Sequence, residues 1–136
     1  MAVGAHVSSN QEYPASFPRK QSLNSLEQSQ IEEFQKAIEG EACFDPVTNV
    51  LYRTDASIYD REPLGVILPR TREDLSATVG VAARLGVPVL PRGAGTSLAG
   101  QAVGRALHLD VSKCLNGILE LNVEEKRVRV QPGVVL

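Results

Sequence analysis

A chain of 136 residues suits one small domain or part of a larger one. Its 14 Lys and Arg face 16 Asp and Glu, a formal charge of −2, so no excess of positive charge invites a nucleic-acid backbone. Apolar residues make up 43% but aromatics only 4%, without Trp, and the core must be built from Val, Leu, Ile and Ala.

Residues 1–22 are polar, with Pro14 and Pro18, and read as a flexible N-terminal arm. They lack the basic and apolar regions of a secretory leader, and Arg19 is their single Arg, too few for an organelle transit peptide. Over residues 23–40, Leu23, Leu26, Ile31, Phe34 and Ile38 share one face at 100° per residue, which predicts an amphipathic helix. Ser25 and Gln28 have capping-box spacing, and Gly40 is the expected stop. Cys43 to Ile58 reads as irregular, with turns at Pro46 and Asn49.

Val66-Ile67-Leu68, between Gly65 and Pro69, predicts a strand buried on both faces. Thr71 caps a second helix with Asp74 at the capping-box position, Leu75, Val79 and Ala82 as its buried stripe, and Gly86 as its end. Val87 to Leu90 is the next strand, completing a βαβ unit, with Pro88 confined to a strand start or an edge. Leu107 to Val111 forms a further strand, in which His108 reads as structural or exposed rather than as a base. Gly117–Leu121 and Lys126–Gln131 predict a hairpin whose second arm, with Val128 and Val130 alternating with Arg127, Arg129 and Gln131, is half-buried. The bare apolar end Val134-Val135-Leu136 predicts the front part of a longer protein. No stretch approaches the roughly 20 apolar residues of a membrane span. Cys43 and Cys114 form no CxxC and read as structural thiols in a reducing cytosol.

One segment has the texture of a binding site. Pro91 to Gly104 reads PRGAGTSLAGQAVG, in which Gly93, Gly95 and Gly100 permit close approach of another molecule. Successive N–H groups in such a loop converge on an anion, and Thr96 and Ser97 add hydroxyl donors while Arg92 adds charge. Leu98 stands where a dinucleotide GxGxxG needs its third Gly, and Gln101 where a triphosphatase loop needs Lys. On the glycines alone, a pyrophosphate cradle and a plain turn both remain open.

The run Pro91 to Gln101 resembles the pyrophosphate loop of the vanillyl-alcohol-oxidase type flavoproteins, the FAD-linked oxidase family. Thr54-Asp55-Ala56-Ser57-Ile58-Tyr59, followed by Pro63 and Val66 to Pro69, is similar to the same stretch of the D-lactate and D-2-hydroxyglutarate dehydrogenases. Thr71 to Leu75, Asp110-Val111-Ser112-Lys113, Leu115-Asn116 and Val130 to Val134 continue the likeness, which covers residues 40 to 136. It is strongest to long bacterial enzymes that join this flavin domain to an iron–sulfur domain.

The resemblance implies an α+β fold: the N-terminal portion of a p-cresol-methylhydroxylase (PCMH) type FAD-binding domain, with a βαβ unit and a β-hairpin in a mixed sheet, meeting at the glycine loop. Residues 41–136 would be the first part of that domain. Backbone amides of Arg92, Gly93, Ala94, Gly95, Thr96 and Ser97 would cradle the FAD pyrophosphate, Gly100, Gln101 and Ala102 would continue the contact, and Pro132, Gly133 and Val134 would lie near the cofactor. Some members bind FAD covalently through a His in this loop; Thr96 occupies that position, which implies non-covalent FAD. Asp55 and Tyr59 are expected to fix the entry loop by hydrogen bonds. The activity implied is oxidation of a D-2-hydroxy acid of the D-lactate, D-2-hydroxyglutarate or glycolate type. Its partners would be that small-molecule substrate and an electron acceptor, with an iron–sulfur cluster in the longer protein and none in this chain, in the cytoplasm or peripheral at a membrane. No catalytic residue is identified, and no metal site. A phosphate- or nucleotide-binding module without redox activity, or an inactive fragment, is the alternative.

Overall fold

The computed structural model describes residues 25–135. In chain order the elements are α1 (Gln28–Ala37), β1 (Glu41–Cys43), α2 (Pro46–Tyr52), β2 (Gly65–Leu68), α3 (Arg72–Leu85), β3 (Val89–Arg92), β4 (Leu107–Asp110), β5 (Ile118–Asn122) and β6 (Arg127–Val130). A four-stranded sheet runs β1-β2-β4-β3, with β1 antiparallel to β2 and the other pairs parallel. The expected βαβ unit is β2-α3-β3, but β4 slots between its two strands.

Strand alternation sorts the side chains by face. Ile67, Leu107 and Leu109 pack with Phe34, Val81 and Ala82 in the core under α1 and α3. His108 and Asp110 alternate with them and point to the opposite face, toward α2 and the glycine loop, and both are buried. Covered on both sides, β2 carries the continuous apolar run such burial needs, whereas β4 alternates leucines with the buried polar His108 and Asp110.

Asp74 joins the two helices. The Thr71 hydroxyl accepts the Asp74 N–H at 3.1 Å, the expected cap, and the Asp74 carboxylate accepts the Arg70 N–H at 2.8 Å. The same carboxylate accepts the N–H groups of Glu39 and Gly40 at 2.9 and 3.1 Å, so one side chain starts α3 and secures the chain leaving α1. Gly86 ends α3 in the left-handed conformation, as expected.

Several expectations need correction. The first helix is shorter than residues 23–40. It is capped at Glu27, whose N–H donates to the Gln30 side chain at 2.9 Å, rather than at Ser25. It ends at extended Ile38 instead of Gly40, because the following amides are taken by Asp74. Leu23 and the expected arm lie outside the described residues. The stretch expected to be irregular contains β1 and α2; Asp45 caps α2 by accepting the Thr48 N–H, and Pro46 occupies its first turn. Of the expected α3 stripe, Ala82 is buried and Leu75 packs partly buried against the core, but Val79 is 50% exposed, and Asp74, Thr78 and Val81 complete the buried face. β3 begins two residues late and runs through Pro91 to Arg92. The hairpin pairs only with itself, β5 with β6, rather than extending the mixed sheet. Val128 is exposed there, so the arm is not half-buried; Arg127 and Arg129 pair with Glu120 and Glu125 in solvent. Cys43 is partly buried, but Cys114 is exposed and so is not a packed thiol.

Candidate functional site: the glycine loop and its facing segment

The loop leaves the C-terminal end of β3 and returns into β4. Gly93, Ala94, Thr96 and Gln101 are exposed, Gly95, Ser97 and Gly100 are half-buried, and Ala102 is buried. Gly95 has φ +73° and Gly100 φ +78°, which favour glycine. Among the described residues, the N–H groups from Gly93 to Gly100 donate to no acceptor of the chain. Such a row of unpaired donors on a fixed, exposed loop is a site for an anion.

The loop is fixed by the segment 52–59, which contains Asp55 and Tyr59. The Arg92 guanidinium donates to the carbonyls of Ala102 at 2.8 Å, Thr54 at 2.9 Å and Tyr52 at 3.3 Å, and lies 5.2 Å from the centroid of the Tyr52 ring. Asp55 accepts the Ala102 N–H at 3.3 Å and the Ser57 N–H at 2.8 Å, and the Ala56 N–H donates to the Gly95 carbonyl at 3.0 Å. The Ser57 hydrogen bonds, against partial burial and with help from Arg92, hold the Asp55 carboxyl below the usual carboxylate range. Tyr59 supports the loop by packing: a Cβ at Gly100 would lie 2.5 Å from its ring. Within the loop, Ser97 donates to the Gln101 side chain and accepts the Gln101 N–H.

Beneath this frame, the Tyr52 hydroxyl donates to Asp110 at 2.6 Å, and Asp110 also accepts from the Ser112 N–H and hydroxyl at 2.8 and 2.6 Å. Burial and then Asp110 push the Tyr52 phenol well above its ordinary pKa. His108 is fully buried, with Nε2 3.0 Å from the Gly104 carbonyl, and burial pushes its pKa below the ordinary value. It is a structural strand residue, not an exposed one.

The expected site residues therefore divide. Gly93, Ala94, Gly95, Thr96, Ser97 and Gly100 form the open face. Gln101 and Ala102 have their N–H groups engaged and serve as framework. The Arg92 side chain, expected to offer its charge to an anion, is taken up by carbonyls. Gly133 donates its N–H to the Leu115 carbonyl at 2.8 Å, and Val111 beside it donates to the Arg92 carbonyl at 3.0 Å, so Pro132 to Val134 back onto the end of β4. Sequence reasoning missed Tyr52 and Asp110, whose partnership spans two elements. Among the described residues there is no cluster of metal-ligating side chains.

An open mixed sheet with an amide-lined loop at the strand ends defines a class of protein that can take an anionic group there. Residues 63–136, just over half of the chain, match the family described as FAD binding domain, and the chain belongs to that family. It is 38% identical over 102 residues to a D-2-hydroxyglutarate dehydrogenase of Pseudomonas putida, covering 71% of this chain and 10% of that one. It is 42% identical over 80 residues to the glycolate oxidase subunit GlcD of Escherichia coli K12, covering 57% and 16%. The fold is similar to that of p-cresol methylhydroxylase with substrate bound, at TM-score 0.68 and 18% identity over 78% of this chain and 22% of that one. The α+β fold is thus that of the vanillyl-alcohol-oxidase and PCMH type flavoproteins. The chain spans about a tenth of the length of the dehydrogenase relative. No helix among the described residues is long and apolar enough to cross a membrane.

The residues fit FAD, the cofactor of the family. The unpaired amides supply donors for a pyrophosphate, and a Cβ built on Gly93 meets nothing within 4 Å, so its outer side is open to a ligand.

Proposed function

We propose that this chain supplies the pyrophosphate-holding part of a flavin-dependent dehydrogenase that oxidises a D-2-hydroxy acid of the lactate, hydroxyglutarate or glycolate type. The observation that carries the reading is the row of unpaired N–H groups from Gly93 to Gly100 on a loop pinned at both ends. The amides of Gly93, Ala94, Gly95, Thr96 and Ser97 would meet the pyrophosphate on one side and Gly100 on the other. Gln101 and Ala102 would hold the frame, and Pro132, Gly133 and Val134 would support it from behind. Bound non-covalently, FAD would supply hydride acceptance from the substrate α-carbon; the chain binds and orients it. The electrons would then pass to a separate acceptor, and an iron–sulfur cluster elsewhere in the protein fits the resemblance to the long bacterial enzymes. The relatives named for D-2-hydroxyglutarate and glycolate support the substrate class. We place the protein in the cytoplasm or peripheral at a membrane, a reading supported by its two unpaired cysteines.

The test is the flavin content of the protein at its full natural length. Purified protein should be yellow and carry FAD in stoichiometric amount, and Gly93→Val should lower the flavin-to-protein absorbance ratio at least tenfold with unchanged circular dichroism. Protein that takes up no FAD while binding inorganic pyrophosphate would favour the non-redox phosphate-binding module instead.

A further inference from the structure

We infer that Arg92 and Asp55 are positioning residues that clamp the glycine loop through Ala102, and that the Arg92 side chain makes no contact with the phosphate. The inference rests on the proposed function above for its ligand, but the clamp itself stands on the hydrogen bonds. Ala102 is gripped on both of its peptide groups: its carbonyl accepts from Arg92 at 2.8 Å and its N–H donates to Asp55 at 3.3 Å. The same guanidinium reaches the carbonyls of Thr54 and Tyr52 on either side of Arg53, immediately before Asp55. The Ala56 N–H then holds the Gly95 carbonyl at 3.0 Å. Two points of the loop, Gly95 and Ala102, are thus tied to one stretch of chain, and the unpaired amides lie around and between them.

The chemistry selects Arg for this work. A guanidinium carries five N–H donors in a rigid fork, and here three carbonyls share it while its central carbon lies 5.2 Å from the centroid of the Tyr52 ring. A Lys ammonium has the same charge but no fork, and cannot reproduce the set. Gly95 lies directly over the guanidinium, since a Cβ there would come 2.5 Å from Nη2. The positive charge therefore sits behind the loop backbone, where it is held by carbonyls.

Two measurements on the full-length protein test the clamp. The first is cofactor-free: the rate of chymotrypsin cleavage after Leu98, an exposed side chain inside the loop, with the site confirmed by mass spectrometry. Arg92→Lys and Asp55→Ala should each be cleaved at least tenfold faster than wild type. The double variant should be no faster than the faster single, because both act through Ala102. Asp55→Ala leaves Arg92 on Tyr52 and keeps the test open should Arg92→Lys fail to fold. The second is FAD affinity against salt: Arg92→Lys should weaken binding tenfold or more with the wild-type salt slope, charge being kept. Wild-type cleavage rates in the variants, or wild-type FAD affinity in Arg92→Lys, each overturns the inference. Wild-type protein that binds no FAD overturns the proposed function instead, and the cleavage rates still decide the clamp.

Discussion

The hydroxyl of Tyr52, the last residue of α2, donates to the carboxylate of Asp110, the last residue of β4, at 2.6 Å across 58 positions of sequence. Asp110 is 3% exposed, so this bond is a buried polar connection inside the face that carries the loop. The ring of Tyr52 in turn supports Arg92.

Tyr52→Phe should therefore destabilise the protein by about 1.5–3 kcal/mol, the usual worth of a hydrogen bond to a charged group. The phenol pKa is raised in the folded state, first by burial and then by Asp110. A raised folded-state value means that the contribution is complete below the unfolded value near pH 10 and is lost as pH climbs past it. Denaturant unfolding of both proteins at several pH values checks this: the gap should hold from neutral pH to about 9 and shrink above about 10. A gap that persists unchanged in strong alkali would contradict it.

Asp74→Asn should cost about 2 kcal/mol or more, since an amide nitrogen would oppose backbone donors that the carboxylate now accepts. Burial works to raise the Asp74 pKa, but hydrogen bonds from Glu39, Arg70, Thr71 and Gly40 outweigh it and the net direction is downward. The stabilisation is present above the ordinary carboxylate value near 4 and disappears as pH falls through the lower folded-state value. Melting temperatures of the two proteins should converge in acid and stay apart at neutrality.

The two neighbouring glycines should respond differently to the same change. Gly93→Ala meets open space and should alter stability by less than about 0.5 kcal/mol. Gly95→Ala forces a side chain into φ +73° and against Arg92, and should cost at least about 1–2 kcal/mol. Equal melting temperatures for the pair would show that the loop conformation is not the one described.

Thr96 cannot make the link formed by a loop His, so the flavin should be released by acid. After precipitation and centrifugation of the full-length holoprotein, the yellow colour should be in the supernatant. A washed pellet that stays yellow would mean covalent attachment.

Local signals made much of the fold legible. The Thr71–Asp74 box, the Gly86 stop and the apolar run of β2 depend on neighbours a few residues away, and each appears where the sequence puts it. Asp45-Pro46 carries the same kind of local signal for α2, in a stretch read as irregular from the turn residues Pro46 and Asn49. The glycine loop was legible from composition, and Asp55 and Tyr59 from the resemblance, but the part of the frame made by Arg92 was not. Arg92 finds backbone carbonyls about 40 residues upstream, and a carbonyl acceptor has no residue type to betray it. The alternation in β6 correctly marks two faces of a strand, yet Val128, opposite Leu121 in the hairpin, stays 43% exposed.

Pro91 has a consequence for self-association. It lies inside β3, at the edge of the sheet, where the carbonyls of Pro88 and Arg92 accept from Leu107 and Val111 of the β4 segment. Strand alternation turns the nitrogen of Pro91 away from β4, toward the side on which no strand among the described residues pairs with β3. No ladder bond is lost there, and the edge lacks the donor that an approaching strand would need. Replacing Pro91 with a β-branched residue would restore that donor and turn the margin beside the loop into a template for edge-to-edge aggregation.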